Sequence, residues 1–184
     1  HRDYNIYNEI ITYKNFDVIL VDNNSELKHL NFIKKWHKRE INCNGRFVKP
    51  NNQRFNNIIE VKKNQIIKQN NKVGKNIYLI RNKKNYGLTK GLNIGYKFSI
   101  NNSYKYILRI DNDLFLEKNC IKTLLRSFDK KNVAAVSPKV LHAYLKKTIW
   151  WSEFYMKWST LKFYGFGGTR KNRILDNKNI SNIK

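Results

Sequence analysis

Cysteine is scarce in this 184-residue chain, which holds only Cys43 and Cys120, far apart and outside any CxxC pair. That excludes a disulfide-framed mini-protein and a cysteine-built zinc module, and makes a reducing, cytoplasmic setting the expectation. Methionine occurs once, at Met156, and proline twice, at Pro50 and Pro138. No apolar run nears the roughly 18–20 residues that span a bilayer, and no signal-peptide pattern opens the chain. The sequence starts at His1 without an initiator methionine and closes in a polar stretch, Asp176 to Lys184, so it reads as a piece of a longer protein. Acidic residues are also few: 13 Asp+Glu stand against 37 Lys+Arg, a net charge of +24. Hydrophobic residues nevertheless make up 41% and aromatics 14%, enough for a core, which excludes wholesale disorder. The length bounds the chain at a single domain.

A charge of +24 attracts nucleic acid, anionic lipid or phosphorylated small molecules. The lysine pairs Lys34-Lys35, Lys62-Lys63, Lys83-Lys84 and Lys146-Lys147 are short, scattered and set among many Asn and Ile. They read as a solvated surface, since charge runs report solubility and steering before they report a partner. Zinc-finger spacing, a KH loop and an aromatic RNP pattern are all missing, so no nucleic acid is expected. Peripheral contact with an anionic membrane at its inner face stays open.

Phe16 to Val21 is a short apolar run that reads as a strand buried on both faces, as in a parallel sheet. It ends at Asp22-Asn23-Asn24-Ser25, a turn cluster in which Ser25 can cap a helix over about Glu26 to Arg39. The Asn-, Lys- and Gln-rich stretch about 41–75 reads as a surface insertion, with helical spacing over about Phe55 to Gln69. Asn76 to Ile80 predicts a second strand, Leu88 to Ile100 a helix, and Tyr104 to Ile110 a third strand. Ile121, Leu124, Leu125 and Phe128 fall on one face of a further helix. Val133 to Val136 predicts a fourth strand, broken by Pro138 and resuming through Val140 and Leu141. Strands alternating with helices give an α/β architecture with a mostly parallel, Rossmann-like sheet flanked by helices.

In such sheets ligands sit beyond the carboxyl ends of the strands, where Asp22 and the trio Asp111-Asn112-Asp113 fall. Paired carboxylates suit a hard cation such as Mg²⁺ or Mn²⁺, bound together with substrate phosphates. The competing reading is that Asp113 caps the next helix and Asn112 makes a turn. Between them, Asn85-Tyr86-Gly87 leads into a helix on which Gly87, Gly91 and Gly95 recur every four residues. Those glycines allow close approach to the sheet. Asn85 and Asn93 stand near the helix start and on its flank, where nucleotide hydroxyls or phosphates can be met. Arg109 lies inside an apolar run on the same face as Asp111, open to an ion pair or a diphosphate contact.

Taken in order, FDVILVDNNS, IYLIRNKKNYGLTKGLNIGY, YKYILRIDNDLFLEKNCIKTLL and VAAVSPKV resemble the inverting family-2 glycosyltransferases of GT-A fold, rhamnosyltransferase-like members especially. The resemblance runs from about Phe16 to Val140. It implies a nucleotide-sugar-binding core over 16–142, interrupted by the insertion, within one incomplete domain spanning 1–184. It further implies transfer of a sugar, with inversion, from a UDP- or dTDP-linked donor to a hydroxyl of a glycan or lipid-linked acceptor. Asp22 would contact the base, Asn85, Gly87 and Asn93 would border the nucleotide, and Asp111 and Asp113 would form a DxD holding Mg²⁺ or Mn²⁺.

The departures matter as well. The family's opening strand is not supplied by His1 to Lys14, and no acidic motif for a catalytic base follows Ala143. Glu153 and Asp176 read as surface acids, so the catalytic residue is unknown. Residues 143–184 combine an aromatic-rich, acceptor-side segment with a polar tail. In the segment from Ile149 to Phe166 aromatic packing is expected, with sugar stacking second, and Gly165 to Gly168 reads as a loop. Two rival classes remain: a basic module binding nucleic acid or anionic lipid without catalysis, and a nucleotidyltransferase. The Gly-rich phosphate loop expected of the latter is not visible.

Overall fold

The computed structural model describes residues 11–41, 55–67, 75–142, 148–157 and 159–167. These divide into two compact units, one reaching to Asn119 and the other beginning at Cys120.

The first unit is built on a three-stranded parallel sheet. Its strands are β1 (Val18–Asp22), β2 (Asn57–Glu60) and β3 (Asn76–Arg81), in the order β1-β3-β2. The central strand β3 carries five consecutive buried residues, Asn76 to Ile80, as expected of a strand covered on both faces. Pairing is in register from Val18↔Ile77 to Asp22↔Arg81 on one side and from Asn57↔Asn76 to Glu60↔Leu79 on the other. Two helices accompany the sheet, α1 (Leu27–Lys38) and α2 (Leu88–Asn101). Helix α2 puts Phe98 into a buried cluster with Val61, Tyr78 and Ile80. The Phe98 ring is fully buried and lies 5.8 Å from that of Tyr78. Close approach of α2 to β1 depends on Gly95, where a Cβ would meet Val21 Cγ2 at 3.3 Å. Helix α1 is tied beside β2 by the Lys34–Glu60 ion pair and by His37, whose Nε2 donates to the Phe55 carbonyl at 2.9 Å. His37 is therefore half-buried.

Several expectations are corrected. In place of the helix expected around Phe55 to Gln69, Asn57–Glu60 forms β2 of the sheet and residues 61–67 are irregular, so this part of the supposed insertion is structural. β-Branched Ile58 and Ile59 suit a pleated surface, and the free edge of β3 offers backbone partners that override helical spacing. An Asn57 Nδ2 to Asn76 Oδ1 bond of 3.1 Å helps fix the register. Residues 42–54 and 68–74 of that stretch lie outside the described residues. Ser25 does not cap α1; Glu26 occupies the N-cap position without a side-chain bond, and the Ser25 amide is held by Asp22 Oδ1 at 2.9 Å. Tyr104 to Ile110 forms no strand among the described residues. The segment begins beside the start of β1, where Tyr104 Oη donates to Asp17 Oδ2 at 2.7 Å, but a strand requires a paired backbone and the described residues show no ladder along it.

The second unit contains α3 (Cys120–Ser127), which carries Ile121, Leu124 and Leu125 of the expected apolar stripe but ends before Phe128, and an antiparallel sheet. The sheet orders β4 (Val140–Leu141), β5 (Ile149–Lys157) and β6 (Lys162–Gly167) in sequence. Val133 to Val136 forms no strand among the described residues. The aromatic stretch forms a hairpin, with Trp151↔Gly167 through Lys157↔Lys162 paired. Gly165 to Gly167 therefore lies in a strand rather than in the expected loop, because the aromatic partners of β5 supply a ladder. No helix among the described residues is long and apolar enough to cross a membrane.

Candidate functional site

The carboxyl end of the parallel sheet is organised by side chains that follow the strands directly. Asp22 closes β1 and is buried, with only 4% of its side chain exposed. Its Oδ1 accepts the Ser25 amide; its Oδ2, which accepts no hydrogen bond, lies 3.3 Å from Arg81 Nε at the end of β3. Arg81 also donates to the Ser25 carbonyl at 3.2 Å, so the turn after β1 is gripped from the neighbouring strand.

Asn23, the next residue, carries more contacts than any side chain singled out from sequence. Its Nδ2 donates to Asn85 Oδ1 at 2.8 Å and to the Gly87 carbonyl at 3.0 Å. Its Oδ1 accepts from Asn82 Nδ2 at 3.0 Å and from the Tyr86 amide at 3.1 Å. Asn85 Oδ1 in turn accepts the Gly87 amide at 2.8 Å. Gly87 stands at the N-cap of α2 with φ +78, a left-handed conformation that side-chain-bearing residues rarely adopt. Lys90 and Lys84 place their ammonium groups 4.4 and 5.7 Å from the Tyr86 ring centroid, adding positive charge beside this helix start.

A cavity of about 400 Å³ runs between β1, α2 and the segment Tyr106 to Asn112. Its polar lining includes Asn23, directly after β1, Gly87 at the start of α2, and Asp111 and Asn112 of the irregular segment that follows α2. The apolar walls are consecutive residues, Ile19 to Val21 on one side and Tyr106 to Leu108 on the other, so backbone edges face the space. Asp111 is half-exposed and held by Arg109, whose Nη2 donates to Oδ1 at 3.0 Å and to Oδ2 at 3.3 Å. Of the two contacts left open for Arg109, the structure has the ion pair. Asp113 is exposed, without a hydrogen bond or ion pair among the described residues, and α3 begins only at Cys120. The competing capping role for Asp113 is thereby removed. Asn93 is exposed on α2 and does not line the cavity.

The model of glycosyl transferase family 2 matches residues 63–181, well over half of the chain. The chain belongs to this family. The matched span takes in β3, the Asn85–Gly87 loop, α2, Asp111 and Asp113, and runs on through the aromatic hairpin, beyond the Val140 limit expected from motifs. Asp22 and Asn23 lie before it. Among individual proteins, the chain is 44% identical over 62 residues to an uncharacterized protein of Methanocaldococcus jannaschii, covering 33% of this chain and 27% of that protein. The match thus spans about a quarter of the relative's length. No solved structure matches the chain.

Asp111 and Asp113 are hard carboxylates from one turn, and no third acidic, histidine or cysteine side chain joins them among the described residues. That pattern suits Mg²⁺ or Mn²⁺, which commonly takes one or two carboxylates and completes its shell with waters and substrate phosphates. Sequence reasoning missed Asn23, Asn82 and Arg81. The available signal was the density of amide side chains after β1 and β3, which reads as turn composition until the two turns are seen to face each other.

Proposed function

We propose that this glycosyltransferase chain binds a nucleoside diphosphate sugar, UDP- or dTDP-linked, and passes the sugar with inversion to a hydroxyl of a glycan or lipid-linked acceptor. The observation that carries this reading is the joint lining by Gly87, Asp111 and Asn112 of one cavity that reaches the carboxyl end of β1 at Asn23. That is where α/β folds receive ligands.

In the transfer, the acceptor oxygen bonds to the anomeric carbon as the bond from that carbon to the diphosphate breaks. The bonding pair leaves with the diphosphate, and the acceptor proton passes to a general base. Asp111 and Asp113 would hold the cation, which when bound neutralises the diphosphate. Lys84 and Lys90 supply positive charge beside the start of α2, attracting the anion, while Arg109 holds Asp111. Asp22, Asn85 and Asn93, none of which lines the cavity itself, are proposed to border the donor. None of the described acids is assigned as base, and Asp176 and the side chain of Glu153 lie outside the described residues.

Calorimetric titration of UDP and dTDP with Mn²⁺, with Mg²⁺ and with chelator tests this. Tighter binding with metal is expected for the wild type, and loss of the metal effect in Asp113→Asn. Equal affinity with and without metal in folded protein rejects the cation assignment; no binding of either nucleotide rejects the donor reading.

A further inference from the structure

We propose that Asn23 is a positioning residue for the donor side: its side-chain amide fixes the Asn82–Gly87 turn, and with it the start of α2, against the end of β1. The inference rests on the reading of that turn as donor-binding. It goes further in assigning the geometry of the turn to a residue outside it.

A primary amide offers two N–H donors and two acceptor lone pairs, and Asn23 has all four engaged within the protein. It has no capacity left for a ligand, so it acts through the turn. The neighbours also fix which end of the amide points where. The Gly87 carbonyl can only accept, and Asn85 Oδ1 is already committed as an acceptor from the Gly87 amide, so both require a nitrogen from Asn23. The Tyr86 amide can only donate, so it requires an oxygen.

The reach of the clasp is set by its partners. Asn82 is buried at 6% exposure, and its backbone amide donates to the Asp22 carbonyl at 2.9 Å, so the start of the turn is fastened twice. The Gly87 carbonyl also accepts the Gly91 amide at 3.1 Å, the first bond of α2. A displacement of Asn23 therefore reaches the free amides of the first helical turn, which no side chain caps. Aspartate at position 23 is nearly the same shape but turns two donor contacts into acceptor–acceptor contacts, and brings a negative charge beside the turn.

The test compares wild type, Asn23→Asp and Asn23→Ser by calorimetry with UDP and Mn²⁺ and by amide hydrogen exchange. Asn23→Asp is expected to weaken UDP at least about tenfold, equivalent to about 1.4 kcal/mol. Faster exchange is expected at Tyr86, Gly87 and the first turn of α2, with β3 protected as in the wild type. Asn23→Ser, too short to reach all four partners, falls between; should Asn23→Asp not fold, the serine variant measured the same way decides. UDP affinity within about twofold of wild type, or loss of protection spread through β3, overturns the proposal. If wild type binds no UDP while the turn still loosens in Asn23→Asp, the donor reading has failed and Asn23 is only a loop fastener.

Discussion

Tyr104→Phe removes one oxygen atom and tests how the first unit is pinned at the amino end of β1. Tyr104 Oη donates to Asp17 Oδ2 at 2.7 Å, while Asp17 Oδ1 accepts the Asn76 amide at 2.9 Å. One carboxylate thus joins the entry to β1, the start of β3 and the segment after α2. A hydrogen bond to a charged group contributes about 1.5–3 kcal/mol, and the half-buried setting favours the lower end, about 1.5. Burial first, then the bond to Asp17 and its charge, push the Tyr104 phenol far above its ordinary value of 10.0. The folded state therefore keeps this phenol neutral where the unfolded chain ionises it. The raised value gives stability that is fully present below about pH 10 and is lost as pH rises beyond it, by up to about 1.4 kcal/mol per unit. Tyr78 is raised as well, by burial and then by Asp17, and persists in the variant. Wild type should exceed Tyr104→Phe by about 1.5 kcal/mol near neutral pH, and the difference should shrink to almost nothing about one unit above pH 10. Lysine deprotonation is common to both proteins and cancels. Urea unfolding followed by circular dichroism at the two pH values measures the gap, and a gap unchanged between them refutes the argument.

Two further outcomes follow from the core and the charge. Phe98→Ala should cost about 3–5 kcal/mol, a large part of the roughly 5–15 that holds a domain, and appear as a collapse of the urea midpoint; a loss below about 1 kcal/mol would mean that Phe98 is not the centre of this core. A generic DNA duplex should bind weakly at about 0.15 M salt and leave UDP bound. Competitive displacement of UDP at that salt would favour the nucleic-acid-binding alternative over the donor reading.

The α/β class and the parallel order were legible because β1 and β3 are apolar runs bounded by turn residues, and the glycine spacing of α2 marked its sheet-facing side. The segment Phe55 to Gln69 was misread for a physical reason. Ile58, Ile59 and Ile66 satisfy helical spacing, but the open edge of β3 is a long-range fact that a local pattern does not contain. Tyr104 to Ile110 failed in the opposite direction, having strand composition without a neighbour to pair with. At the site, Asp22, Asp111 and Asp113 stood out as acids after apolar runs. Asn23 did not, because its value lies in bonds to Asn82, Asn85, Tyr86 and Gly87, about 60 residues away in sequence.

Among the described residues β1 is an edge strand, and no backbone hydrogen bond there joins Ile19, Leu20 or Val21 to anything but β3. Across the cavity, Ile107, Leu108 and Ile110 are exposed at 41–46% and also lack backbone partners among the described residues. An apolar strand edge left unpaired is a template on which another copy can add a strand. What opposes such stacking between copies is their mutual repulsion, set by the +24 charge. That repulsion reaches about 8 Å at physiological salt and about 3 Å at 1 M. The lysine excess thus acts as a colloidal guard against such pairing, and salting the protein out also removes its defence against edge-to-edge aggregation.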